Sequence, residues 1–233
     1  MGSQTQTFTL SECTISDVPD IIDVYLAAFS TDYFGQFLFP RHKISDQEML
    51  RWLTSRFSSL FSKREVHTFK ITDNETGKMA AFLRWTFPHE LTEKERLERD
   101  EEKKEKERVK KETGHDPTWP VGANLEICGE KFGELERMME RYVDKKETYV
   151  ANLLGTHPAY QRKGLASKLL KHVLDMADRE GRKVYIEATP AGHPVYLRLG
   201  FRDIDVVSVD LRKWGGERVG TNVILERDPR PVS

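Results

Sequence analysis

Cysteine is scarce in this chain: 233 residues carry only Cys13 and Cys128, far apart in sequence. That excludes a disulfide framework and a cysteine-based zinc cluster, and makes a reducing, cytoplasmic compartment the expectation. Histidines are few and scattered, with no His-x-x-x-His pair on a helix, so no metal site is expected. Long apolar runs are also missing. The stretch Tyr25 to Phe29 is among the longest, far short of the roughly 20 residues that span a bilayer. Met1 to Gln6 lacks the charged and apolar regions of a signal peptide, and Gln6 stands where a myristoylation signal needs Ser or Thr. Excess charge is absent too. The formal net charge is −1, which gives no electrostatic case for a nucleic-acid or acidic-membrane partner.

What is present is a soluble, globular composition, 32% charged and 38% hydrophobic, over a length that suits one large domain. Phe8 to Leu10 reads as a strand. Ser16-Asp17 starts a helix with Val18, Ile21, Ile22, Tyr25, Leu26 and Phe29 at helical spacing. Residues 30–44 read as an aromatic-rich loop. Ser45 and Glu48 form a capping box for a second helix, through about Phe61. Val66 to Thr72 and Lys78 to Phe87 make a hairpin around a turn-rich loop.

Residues 93–112 hold nine acidic and nine basic side chains. Opposite charges recur at helical spacing, as in Glu95–Arg99, Asp100–Lys104, Glu102–Lys106 and Glu107–Lys111. This predicts an exposed, partly frayed helix laced by its own ion pairs. A loop with Trp119 follows, then a helix whose apolar stripe includes Leu125, Phe132, Leu135, Met138 and Met139. Together they form a charged helical insertion at about 90–146 within a single 1–233 domain. The remainder alternates: strand Thr148–Thr156, helix Gly164–Arg179, strand Val184–Ala188, short helix His193–Leu199, and strands Val206–Leu211 and Val219–Leu225. Such an order gives an α/β or α+β sheet with helices on its faces.

The chemistry-bearing stretch runs from Leu153 to Ala166. A buried strand ends at His157-Pro158, and a helix opens near Gly164. A helix N-terminus offers unsatisfied N–H groups and the positive end of its dipole, a site suited to a pyrophosphate. Gly164 is expected to let the backbone approach the phosphates, Ala166 is too small to obstruct, and Arg162 and Lys163 add charge.

Gln161-Arg162-Lys163-Gly164-Leu165-Ala166 resembles the Gln/Arg-x-x-Gly-x-Gly/Ala motif of the GNAT N-acetyltransferase superfamily. Val195-Tyr196-Leu197-Arg198-Leu199-Gly200-Phe201 resembles that family's Phe-Tyr-x-x-x-Gly-Phe segment, with Val leading. The long charged insertion resembles some fungal small-molecule members more than histone-modifying ones. The resemblance implies a mixed, largely antiparallel twisted sheet of about seven strands with helices on both faces. It implies acetyl-CoA as co-substrate, with the pyrophosphate on Gln161, Arg162, Lys163, Gly164, Leu165 and Ala166, and main-chain contacts from Leu154 and Thr156.

The reaction it implies is direct attack of an amine on the thioester. Tyr196 matches the tyrosine that protonates the leaving sulfur, unless it serves only in packing. Glu187, within the apolar strand Val184 to Ala188, is either a partly desolvated general base or a carboxylate turned to a polar edge. Substrate recognition falls to the Ser30–Lys43 loop, the hairpin near Trp85 and Phe87, and the Trp119 loop, unless these aromatics are core. The expected acceptor is a small-molecule amine. A peptide or protein acceptor, and a non-catalytic acyl-CoA-binding module, are the alternatives.

Overall fold

The computed structural model describes residues 7–231; the signal-peptide and myristoylation readings of residues 1–6 fall outside them. Seven strands form one sheet in the order β1-β2-β3-β4-β5-β7-β6. They are β1 (Phe8–Glu12), β2 (Val66–Asp73), β3 (Met79–Thr86), β4 (Thr148–Thr156), β5 (Lys183–Ala188), β6 (Arg202–Asp210) and β7 (Val219–Arg227). Every neighbouring pair is antiparallel except β4–β5. A parallel pair needs a crossover, and α6 (Leu165–Glu180) supplies it. Leu165, Leu169, Leu170, Val173, Leu174 and Ala177 recur at helical spacing along α6 and bury one stripe on the sheet.

Helices cover both faces. On one, α6 packs against Ala81, Leu83, Trp85, Tyr149, Ala151, Val184 and Ile186. The other face carries α1 (Val18–Ala28), α3 (Asp46–Ser58) and α5 (Leu125–Tyr142), packed on Met79, Phe82, Val150, Tyr185 and Ile224. This is the mixed, mostly antiparallel sheet expected. No helix among the described residues is long and apolar enough to cross a membrane.

Several local readings need correction. The 30–44 segment is not all loop, because Tyr33–Leu38 forms a short helix, α2, capped by Asp32 accepting from the Gly35 amide at 2.9 Å. Ser45 caps α3 by accepting from the Glu48 amide, but Glu48 does not close a capping box. Its carboxylate instead accepts from Arg51 and from the Val121 amide.

The charged helix, α4 (Glu93–Thr113), is whole rather than frayed. A true capping box between Thr92 and Glu95 starts it, and Gly114 at φ 69° ends it. Its ion pairs also differ from the four read at helical spacing. Arg108 pairs with Glu105 and Glu112 and Lys94 with Glu98, while other side chains of the first half reach residues outside the helix. Arg99 pairs with the buried Glu65, and Glu95 and Glu102 meet Arg64 and Lys63. Periodicity along one helix carries no information about charges on the neighbouring chain.

Candidate active site

The sheet opens where β4 meets β5. Parallel pairing runs only from Thr148–Lys183 to Ala151–Ile186. Beyond it β4 stays with β3, and β5 pairs onward with β7 through Glu187 and Ala188. A bulge at Asn152 marks the parting: Arg84 lies opposite Leu153 and Trp85 opposite Ala151, so Asn152 has no partner in the register. The Thr86 hydroxyl donates to the Asn152 side-chain oxygen at 2.9 Å and holds it. The His157 amide donates to the Ala80 carbonyl on the β3 side. Strand alternation then turns the Leu154 and Thr156 amides away from β3, into the cleft. The Gln161 side chain donates to the Thr156 carbonyl at 3.2 Å and ties the following loop to the strand end.

That loop has an unusual backbone. Arg162 sits at φ 65°, the non-glycine residue with positive φ among those described, and Gly164 at φ 76° caps α6 with no side-chain hydrogen bond. Left-handed residues in such a turn aim successive N–H groups to one side, and the first-turn amides of α6 follow without a capping acceptor. This anion cradle fits a pyrophosphate. Within the protein a Cβ added at Gly164 would meet nothing within 4 Å, and its φ of 76° is a conformation that favours glycine.

A cavity of about 510 Å³ lies over the other face of the sheet and reaches the cleft. Tyr25, Phe29, Phe39, Trp52, Phe57 and Trp119 give it aromatic walls. Leu154, Glu187 and Tyr196 all line it. Glu187 points to the face covered by α5, and Tyr196 belongs to the core on the α6 side. They share one cavity because the strands part between them.

Burial raises the Glu187 carboxyl to about 7, against a hydrogen bond from Tyr185 at 3.1 Å and the positive field of Lys131. Tyr196, on α7 (His193–Arg198), is buried, and burial pushes its phenol well above the usual range, so it stays protonated at neutral pH. Its ring packs edge-on to Phe201 at 5.9 Å, and its hydroxyl has no hydrogen-bond partner among the described residues. Asn222, on the same sheet face as Glu187, is buried with its side-chain oxygen unpartnered, and it also lines the cavity.

The aromatic segments split. The 30–44 segment and Trp119 do line the cavity, but Trp85 is fully buried under α6. Phe87 packs on His67 and Tyr149. The sequence reading also missed the cavity residues Arg56, Arg84, Lys131 and Asn222, whose proximity arises only from packing between elements distant in sequence. Among the described residues, no group of three or more His, Cys, Asp or Glu is placed to hold a metal.

Residues 141–210 match the acetyltransferase (GNAT) domain family, and this stretch spans β4, the cradle, α6, β5, α7 and β6. That stretch carries the family's signature, and the chain as a whole shares its fold with acetyltransferases of known structure. It superposes on a structure described as histone acetyltransferase HPA2 and related acetyltransferase from Corynebacterium glutamicum (TM-score 0.60, 17% identity, 97% of this chain and 99% of that one). It also superposes on the polyamine N-acetyltransferase of Drosophila melanogaster (TM-score 0.59, 12% identity, 95% and 100% covered). A third match is the PaiA N-acetyltransferase of Thermoplasma acidophilum in complex with coenzyme A (TM-score 0.53, 11% identity, 95% and 99% covered). No curated protein matches the chain in sequence.

Proposed function

We propose that the chain is an acetyl-CoA-dependent N-acetyltransferase acting on a small-molecule amine, with residues 1–233 as one catalytic domain and about 90–146 as an insertion. The observation that carries the acceptor class is the cavity, walled by aromatic rings and ending where β4 and β5 part. A recess of about 510 Å³ suits a compact molecule, whereas an extended peptide needs a groove that runs across the site. Both cysteines are free and buried, in keeping with a reducing cytoplasmic setting.

In this reading the amides at Gln161 through Ala166 hold the pyrophosphate, and Leu154 and Thr156 meet the arm and acetyl group by main chain. Coenzyme A brings the acetyl group as an activated thioester. Glu187 accepts the proton that the attacking amine gives up, as a base with a pKa near neutrality can. The Leu154 amide faces the cleft where the carbonyl oxygen gains charge. Tyr196, protonated and without a protein acceptor, donates to the sulfur as the carbon–sulfur bond breaks.

The test is an amine panel read by free thiol release, with acetyl-, propionyl- and malonyl-CoA compared and a set of N-terminal peptides run in parallel. Turnover of compact amines with acetyl-CoA is expected. Peptides turned over in preference to every compact amine would overturn the small-molecule reading.

A further inference from the structure

The cavity is charged unevenly. Four cationic side chains line it, Arg41, Arg56, Arg84 and Lys131, against two carboxylates, Asp32 and Glu187. Arg41 is tied to Asp46 at 2.5 Å. Asp32 accepts from the Gly35 amide, and Lys131 lies 4.1 Å from the Phe34 ring centre with its field acting on Glu187. Arg56 and Arg84 are left over. Neither guanidinium has an ion-pair or hydrogen-bond partner among the described residues. Each rests on a ring instead, Arg56 at 5.4 Å from the centre of Trp52 and Arg84 at 5.6 Å from that of Phe57.

Two like charges gathered at one wall are costly. Burial and the Arg56 charge together bring Arg84 down to about 9. An uncompensated pair of this kind destabilises the fold unless an anion completes it. The cavity also holds the complementary lack. Glu187 and the unpartnered Asn222 oxygen are both acceptors, on one face of β5 and β7. Arg84 and Glu187 lie on the same face of the sheet, on β3 and β5, with β4 between their strands.

We propose that the acceptor amine also carries a carboxylate, gripped by Arg56 and Arg84, while its nitrogen lies at Glu187 and Asn222. The substrate class is therefore a small amino acid-like molecule, with its body between the rings of Phe39, Trp52 and Phe57. A guanidinium pair suits a carboxylate because its planar donors match the two oxygens. This inference rests on the acetyl-transfer reading for the acceptor's chemistry, but the anion site stands on its own geometry.

The experiment has two arms. Matched pairs of amines that differ by a carboxylate at the far end of the molecule, 4-(aminomethyl)phenylacetate against 4-methylbenzylamine and 6-aminohexanoate against pentylamine, are compared by kcat/KM with acetyl-CoA. The acid-bearing member is expected to lead by roughly ten- to a hundredfold, the range of a charge-assisted hydrogen bond. Arg84→Gln and Arg56→Gln should shrink that ratio toward one, mainly through KM, and Arg84→Lys should keep part of it. In the second arm, calorimetry compares indole-3-propionate with its neutral amide on wild type and Arg84→Gln. Tighter binding of the acid by wild type, lost in the variant, is expected. Thermal denaturation checks the fold, and Arg56→Gln carries both arms if Arg84→Gln does not fold. Preference for the decarboxylated amines, or equal affinity for acid and amide, overturns the proposal. Arginine-dependent acid binding with no turnover of any amine sinks the acetyl-transfer reading and leaves the anion site in place.

Discussion

Replacing Glu187 by Gln keeps the shape of the side chain and removes the charge, and its effects on stability and on activity have opposite signs. Burial lifts this carboxyl from 4.5 to about 7. The folded protein therefore holds a proton that the unfolded chain releases across that window, so stability falls as pH rises from 4.5 to about 7 and stays lower above it. A shift of about 2.5 units corresponds to at most ~3 kcal/mol, and partial solvation of the site trims it to about 1–3 kcal/mol. Glu187→Gln should gain that much at pH 8.5 and almost nothing near pH 4, seen as a rise of a few degrees in Tm at the higher pH alone. Turnover should move the other way. The wild-type kcat/KM should climb with pH through about 7 as the base loses its proton. In Glu187→Gln that limb should vanish and the rate should fall about 10²–10⁴-fold. Urea melts at several pH values and a pH–rate profile decide the matter. No stability gain at pH 8.5, or an activity limb unchanged in the variant, would show that the carboxylate is solvated and is not the base.

Three further perturbations probe the remaining parts. Tyr196→Phe keeps the buried ring and removes the proton donor; turnover should drop by about 10²-fold with acetyl-CoA affinity and Tm nearly unchanged, and wild-type turnover would reject the acid role. At Gly164 the φ of 76° separates two explanations. Gly164→Asn, which tolerates that conformation, should bind acetyl-CoA better than Gly164→Val, whereas equal and full binding by both would misplace the cradle. Arg99→Ala strands the buried Glu65 carboxylate and should cost about 1–3 kcal/mol in a urea melt, against less than about 0.5 kcal/mol for Arg108→Ala on the exposed half of the same helix, with acetyl-CoA affinity preserved in both; equal costs would show that α4 is not anchored through Glu65.

The stretch from Thr148 to Phe201 was legible because its signals are local. The strand β4, the turn around Gly164 and the amphipathic stripe of α6 are each written in contiguous residues, and their bounds fall within a residue or so of the expectation. The fold class followed from the same alternation. What could not be read is whatever depends on one element meeting another. Nothing near Arg56 in sequence announces Arg84, which lies 28 positions on; they share a wall only because α3 packs across β3. The helical spacing of α4 offered four plausible internal pairs, and the buried Glu65 outcompeted one of them for Arg99. Trp85 read as a candidate binding aromatic, but strand alternation turns it to the α6 face.

The Asn152 bulge shows how such a non-local detail sets the chemistry. Before it, Tyr149 and Ala151 face α6 and Val150 faces α5; after it, Leu154 takes the α6 side, although 150 and 154 have the same parity. One extra residue therefore reverses the phase of the strand at the point where its partner leaves. The amides of Leu154 and Thr156, which would otherwise be spent in the sheet, are released toward the cleft. The same parting lets Tyr196, from the α6 side, and Glu187, from the opposite face, line one cavity. An unbroken sheet would keep these two groups on opposite sides, with the proton acceptor and the proton donor unable to serve one reaction. The acid–base arrangement proposed for these residues thus depends on the irregularity of β4 as much as on the identity of either one.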